Sequence, residues 1–393
     1  MRLSMNKTEL LFLLDINNYI NKKIKLNKCS YYEIRDILIF KFYLLDIFEY
    51  DASIKKELDD VLVYFYKCVS TNKLSIDLWT GLTGVCMIFR EAYKSNLIKD
   101  GNFETVEKII IDAVEKYYFH FEKINHRYYD LFYGLTGIGS YFVELYSKKY
   151  EKFINQIIDN IYDTLIKKNK MIITPLCFED YVKNGKQIDI TASHGLIQVL
   201  QFCDLCKSKG IINKNIKKIE NEIFTIYDFV YHNLSHYQYI QKLDTKFNFS
   251  FKLINNYSWN YGSFSVNILL SLLTNEKSFI DNVSNIINNN SIDLNNYNLY
   301  FSNGLSGIAY MCYIAEKKEY FSYLSSIKKS IFEEIMNRKG EILNDIDNSN
   351  YSIINGAISC TMPILEENSH NFHLFAKMLL LNNFIPEKNC LSQ

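Results

Sequence analysis

Asp130-Leu131-Phe132-Tyr133-Gly134-Leu135-Thr136-Gly137-Ile138 is the stretch that decides the fold. Gly134 and Gly137 lie three residues apart at the head of an apolar run. At helical spacing they share one face and let another backbone approach closely. The same opening returns five more times. It reads Gly81-Leu82-Thr83-Gly84-Val85, Gly195-Leu196-Ile197-Gln198-Val199, Gly262-Ser263-Phe264-Ser265-Val266, Gly304-Leu305-Ser306-Gly307-Ile308 and Gly356-Ala357-Ile358-Ser359-Cys360. Successive first glycines are separated by 53, 61, 67, 42 and 52 residues. The fourth position is Gly or Ser in five of the six, with Gln198 the exception. One Gly-x-x-Gly means nothing; six, each leading into a helix-length apolar pattern, define a repeat.

Between the glycines a second set of helices is expected. Segments 32–50, 51–69, 103–121, 152–166, 211–232 and 321–336 carry apolar residues at i, i+3, i+4 spacing. Each unit of about 55 residues holds two helices and their loops. Such a hairpin cannot bury its apolar face alone. Six of them closing on themselves place the glycine-opened helices inside and the amphipathic ones outside. The expected fold is therefore one all-α domain over 1–393, an α/α toroid with six inner helices, although length alone suggests two or three domains. Residues 170–191 read as extended, and 232–258 alternate like short strands, which suggests a small β-containing insertion. Residues 285–298 read as an Asn-rich loop, and 382–393 as a loosely ordered tail.

Composition narrows the function classes. The 44 basic and 44 acidic residues of the 393-residue chain cancel, which argues against nucleic-acid or anionic-membrane binding. No run of 18 apolar residues exists, so no transmembrane helix is expected. Glu9 and Asp15 interrupt the first apolar run, unlike a secretory leader. The nine scattered cysteines fit reduced thiols in a cytoplasm better than a disulfide framework. In such a ring the inner-helix N-termini converge on one mouth, with unpaired N–H groups and positive dipole ends. Chemistry is expected one to four residues before each glycine.

The repeat array, together with Asp130 to Gly137, Ala192-Ser193-His194-Gly195, Trp259-Asn260-Tyr261-Gly262 and Ser302-Asn303-Gly304-Leu305-Ser306-Gly307-Ile308-Ala309, resembles the lanthionine synthetase C-like family. These are cyclases that form thioether rings in lanthipeptides. The resemblance runs from about Trp79 to Thr361. It implies a dehydrated precursor peptide as substrate, with a dehydratase and an exporter as further partners, in the cytoplasm or at the periphery of a membrane-associated complex. Members carry Trp-Cys-Tyr-Gly and Cys-His-Gly at the fourth and fifth glycine motifs, where Cys, Cys and His bind a catalytic zinc. Here Asn260, Ser302 and Asn303 occupy those positions. Neutral amide and hydroxyl oxygens are poor zinc ligands, so no metal and no other cofactor is expected. Family members implicate the acid of the second motif and the imidazole of the third in proton transfer. They match Asp130 and His194, with Tyr261 beside the lost cysteine.

Each of these residues also has a structural reading. Asp130 suits a helix N-cap, and Asp77 holds the same place before Gly81. His194 suits a hydrogen-bonded helix start. Asn260, Ser302 and Asn303 suit capping and polar packing. Cys203 and Cys206, nine and twelve residues past His194, lie roughly 13–18 Å down a helix from the mouth. His232 with His236 and His370 with His373 lack a third ligand nearby. Two functions remain: a zinc-independent thioether cyclase, and an inactive pseudo-cyclase that holds the peptide or a dehydratase–exporter complex. A toroid glycosidase would need two carboxylates across a cleft, and Asp77 and Asp130 sit in equivalent capping positions instead.

Overall fold

The computed structural model describes residues 6–99, 103–119, 129–168, 191–233, 257–260, 262–289 and 292–385. Every regular element among them is helical, and none of these helices is long and apolar enough to cross a membrane. The proposed insertion falls mostly, and the extended reading of 170–191 almost wholly, outside the described residues.

All six glycine motifs open inner elements. Five lead into helices Leu82–Lys94, Leu135–Leu145, Leu196–Ser208, Ser263–Thr274 and Leu305–Ala315. The sixth opens a 3-10 turn, Ala357–Cys360, followed by helix Met362–Asn368. Burial separates the layers. Every residue of Leu305–Ala315 is buried. The outer helix Lys148–Tyr162 buries only Tyr150, Phe153, Ile154, Ile157, Ile158 and Ile161, a stripe at helical spacing. The glycine itself is the N-cap of each inner element, in extended backbone and with no side-chain cap. Asp130 is therefore not the N-cap; Gly134 is.

What approaches the glycines is the chain's own preceding loop rather than another helix. A Cβ on Gly137 would overlap the Leu131 carbonyl, and one on Gly304 the Asn298 carbonyl, each six residues earlier. Gly81 and Gly356 meet the loop six residues back in the same way, so in these four repeats the glycine lets the loop fold back onto the first turn of its own helix.

A seventh inner helix, Tyr31–Ile47, has no glycine motif. Its pattern suggests an outer helix, yet residues 34–47 are all buried. It packs between Met362–Asn368 and its outer partner Ala52–Thr71. The charges that make it look amphipathic are each paired inside. Arg35 meets Asp36 at 2.6 Å. Lys41 Nζ reaches Glu57, Asn17 and Asn21 at 2.6–2.8 Å. Asp46 Oδ2 accepts from Ser369 Oγ and from the backbone of His370, Asn371 and Phe372. Buried charge is tolerated only when partnered in this way.

Two further elements differ from their sequence reading. Helix Lys277–Asn289 runs into the Asn-rich segment, because Phe279, Val283, Ile286 and Ile287 face the core and tertiary packing outweighs the weak propensity of Asn. Segment 372–381 fills the ring from the end opposite the mouth. Phe375 packs against Phe301 and Tyr310, with ring centroids at 4.8 and 5.6 Å. Gln201 Nε2 reaches the Leu379 and Leu380 carbonyls. From residue 382 on, Asn382 Nδ2 bonds Glu144 at 2.8 Å, Phe384 and Ile385 lie against the core, and 386–393 are outside the described residues. The first helix, Lys7–Lys23, packs on Lys339–Asp347, with ion pairs Lys23–Asp347 at 2.7 Å and Lys339–Asp15 at 2.5 Å.

Candidate functional site

The mouth of the ring is closed by a circuit of hydrogen bonds that passes once through each inner element. Trp79 N donates to Phe132 O at 2.9 Å. Leu131 N donates to Gln198 Oε1 at 3.1 Å. Ala192 N donates to Asn260 O at 3.2 Å, Asn260 N to Ser302 O at 2.9 Å, and Ser302 N to Ile354 O at 3.2 Å. Ile353 N donates to Asp36 Oδ2 at 3.0 Å, and the Arg35 guanidinium returns to Trp79 O. The circuit explains the one irregular motif. Gln198, where the other repeats have Gly or Ser, is buried, donates to the carbonyls of its own loop and accepts from the loop before it.

Within this circle lies a cleft of about 640 Å³, lined by the loops before all six motif glycines and by the first turns of Tyr31–Ile47. Tyr32, Trp79, Phe132, Tyr133, Trp259 and Tyr351 form its aromatic walls, and Ser193, His194, Asn260, Ser302, Asn303 and Asn355 its polar face. Five of the six named candidates therefore have described positions. His194, Asn260, Ser302 and Asn303 line the cleft directly, and Asp130 stands behind His194. Tyr261 lies outside the described residues.

Asp130 is 1% exposed and each of its oxygens is committed. Oδ1 accepts from Phe132 N at 2.6 Å, and Oδ2 lies 2.7 Å from His194 Nδ1. Asp77 differs. Its carboxylate takes Thr80 N, Thr80 Oγ1 and Ser75 Oγ, and has no imidazole. The shared sequence position thus covers two roles, a turn cap at Asp77 and a turn cap joined to a histidine at Asp130. The His194 ring is set by Phe132 edge-on at 5.3 Å and by Tyr133 stacked at 6.4 Å, nearly parallel. The carboxylate thus engages Nδ1 of the imidazole, and both aromatic rings fix the plane of the ring at the cleft wall.

The three positions that carry the family's metal ligands hold neutral groups bonded to neighbours. Ser193 Oγ donates to Asn260 Oδ1, and Ser302 Oγ donates to Asn355 Oδ1. Ser193 and Asn355 were not singled out by sequence, though both fall in the window just before a motif glycine. A carboxamide oxygen already accepting a hydroxyl hydrogen bond, a serine hydroxyl already donating one and a second amide, with no thiolate, imidazole or carboxylate among the three, do not suit zinc. Among the described residues no three His, Cys, Asp or Glu side chains come together as a metal would need. His373 Nδ1 pairs with Glu366 at 3.1 Å in the plug, away from the mouth. The side chains of His232 and His236 are outside the described residues.

Five of the seven described cysteines are closed off from the mouth. Cys86, Cys203, Cys206, Cys312 and Cys360 are buried. Burial pushes the Cys86 thiol up to about 12 and raises the other four as well. In the folded protein at pH 8, iodoacetamide should leave these five unlabelled until denaturant is added. Peptide mapping by mass spectrometry checks this, and labelling of Cys203 or Cys206 in the native state would contradict it.

A family model described as "Lanthionine synthetase C-like protein" matches residues 37–299, two thirds of the chain. Among solved structures the chain is similar to one titled "Nisin cyclase". The two share 18% sequence identity and superpose with a TM-score of 0.70 over 95% of this chain and 98% of that one. At that identity the likeness is one of fold. No curated protein matches in sequence.

Proposed function

The chain belongs to the lanthionine synthetase C-like family, and from that premise we propose that it closes thioether rings in a dehydrated precursor peptide without zinc. The observation that carries this reading is the Asp130–His194 pair, at 2.7 Å, on the wall of a peptide-sized cleft. A cysteine thiol with an ordinary pKa near 8.5 is only a few per cent thiolate at pH 7. Zinc would normally make the thiolate; here His194 does so. Its Nε2 takes the thiol proton while Asp130 holds the tautomer and stabilises the imidazolium. The sulfur adds to the β-carbon of the dehydro-residue, and the resulting enolate is protonated at Cα by the imidazolium or a water. The electrophile is already activated, so the base is the main requirement.

The aromatic walls suit a flexible peptide, whose side chains and backbone can lie against Trp79, Trp259 and Tyr351. A dehydratase that makes the substrate and an exporter that removes the product are the partners this reaction calls for. A second reading, an inactive pseudo-cyclase that holds the peptide or a dehydratase–exporter complex, rests on the neutral residues at all three zinc positions. Ring closure leaves peptide mass unchanged, so the experiment counts free thiols. The dehydrated precursor is incubated with the protein and then alkylated. Thiols lost faster than without protein support the cyclase. Full labelling with and without the protein, alongside tight peptide binding, supports the holding role.

A further inference from the structure

Two groups on the polar wall of the cleft are joined through three residues. Ser193 precedes His194 in the chain, and its hydroxyl donates to Asn260 Oδ1. Asn260 N and O are both held in the mouth circuit, to Ser302 and Ala192. The backbone and the amide oxygen of Asn260 are thus fixed, while its Nδ2 has no acceptor among the described residues although the side chain lines the cleft. With its oxygen taken, Nδ2 is the atom this half-buried, cleft-lining amide has left to donate to an oxygen of the bound peptide.

Resting on the cyclase reading, we infer that Asn260 is a catalytic hydrogen-bond donor to the carbonyl oxygen of the dehydro-residue. The electron balance of the addition identifies that oxygen. The S–H bond breaks and its proton goes to His194 Nε2. The S–Cβ bond forms, and the displaced π pair moves through Cα to the carbonyl oxygen, which becomes an enolate. Reprotonation at Cα returns the pair and neutralises the oxygen. Negative charge therefore develops on one carbonyl oxygen between two proton transfers, and a donor placed there stabilises the intermediate more than the reactant. A neutral amide suits the position for a second reason. A cation beside His194 would oppose its protonation and weaken it as a base, whereas an amide adds no charge. The same position that holds a metal-binding cysteine elsewhere in the family would thus have moved from activating the thiol to activating the electrophile.

Two variants test this on the full-length protein with a dehydrated precursor peptide. Asn260→Asp keeps the oxygen that accepts from Ser193 and turns the donor into an acceptor. Asn260→Leu removes the donor without adding charge. Ring closure at saturating peptide, read by loss of alkylatable thiol, should fall by about 10²–10³-fold in both. Peptide affinity, read by fluorescence anisotropy of a labelled precursor, should change little. If Asn260→Leu melts early, Asn260→Asp decides alone. A variant with native affinity and a rate within about threefold of the native protein's overturns the inference and leaves the cyclase reading intact. A native protein that does not accelerate ring closure overturns both.

Discussion

Replacing His194 by alanine should slow ring closure by roughly 10²–10⁴-fold, the range in which a positioned general base contributes. On the proposed mechanism the step it removes is transfer of the thiol proton to Nε2, with Asp130 holding Nδ1 at 2.7 Å. Alanine also leaves the buried Asp130 carboxylate without its imidazole, which costs stability by itself. His194→Asn separates the two effects. Its amide nitrogen occupies the Nδ1 position and still donates to Asp130, but nothing replaces Nε2. Both variants should lose the same activity, while only His194→Ala should melt lower. Thiol counting against time measures the first and thermal unfolding the second. An asparagine variant with native activity would mean that His194 is a structural helix-start residue.

The largest expected effect on stability lies at the other end of the ring. Phe375→Ala should cost about 3–5 kcal/mol, the usual range for a fully buried aromatic. Phe375 is fully buried between Phe301 and Tyr310. Phe301 in turn packs against Trp259 at 4.9 Å, beneath the mouth. The cavity would therefore open in the axis of the ring, where inner helices cannot collapse without breaking the circuit of hydrogen bonds above. Urea denaturation monitored by circular dichroism gives the loss. A cost below about 1 kcal/mol would mean that segment 372–381 does not hold the barrel together.

The repeat was legible because its cause is local. A loop that folds back on its own helix needs a glycine, and the need is visible at Gly81, Gly137, Gly304 and Gly356. The positions of Asp130 and His194 followed from the same rule, since whatever precedes those glycines must face the mouth. Tyr31–Ile47 was legible as a helix but not as an inner one, because its Arg, Lys and Asp residues imitate a solvated face and their partners lie in distant segments. Gln198 stood out as an irregularity, but its purpose depends on Leu131, 67 residues away. The same holds for Ser193 and Asn260. A hydrogen bond across repeats leaves no spacing signal in either one.

Chelation tests the central claim, that an imidazole and a carboxylate do at this mouth what a metal does elsewhere in the family, most directly. The purified protein is dialysed against a strong zinc chelator, analysed for residual metal, and assayed on the dehydrated precursor with and without added zinc. Ring closure at the same rate in both samples, with far less than one zinc per chain, is the predicted result. Stoichiometric zinc in the protein as purified, together with activity lost on chelation and restored by zinc, would contradict it.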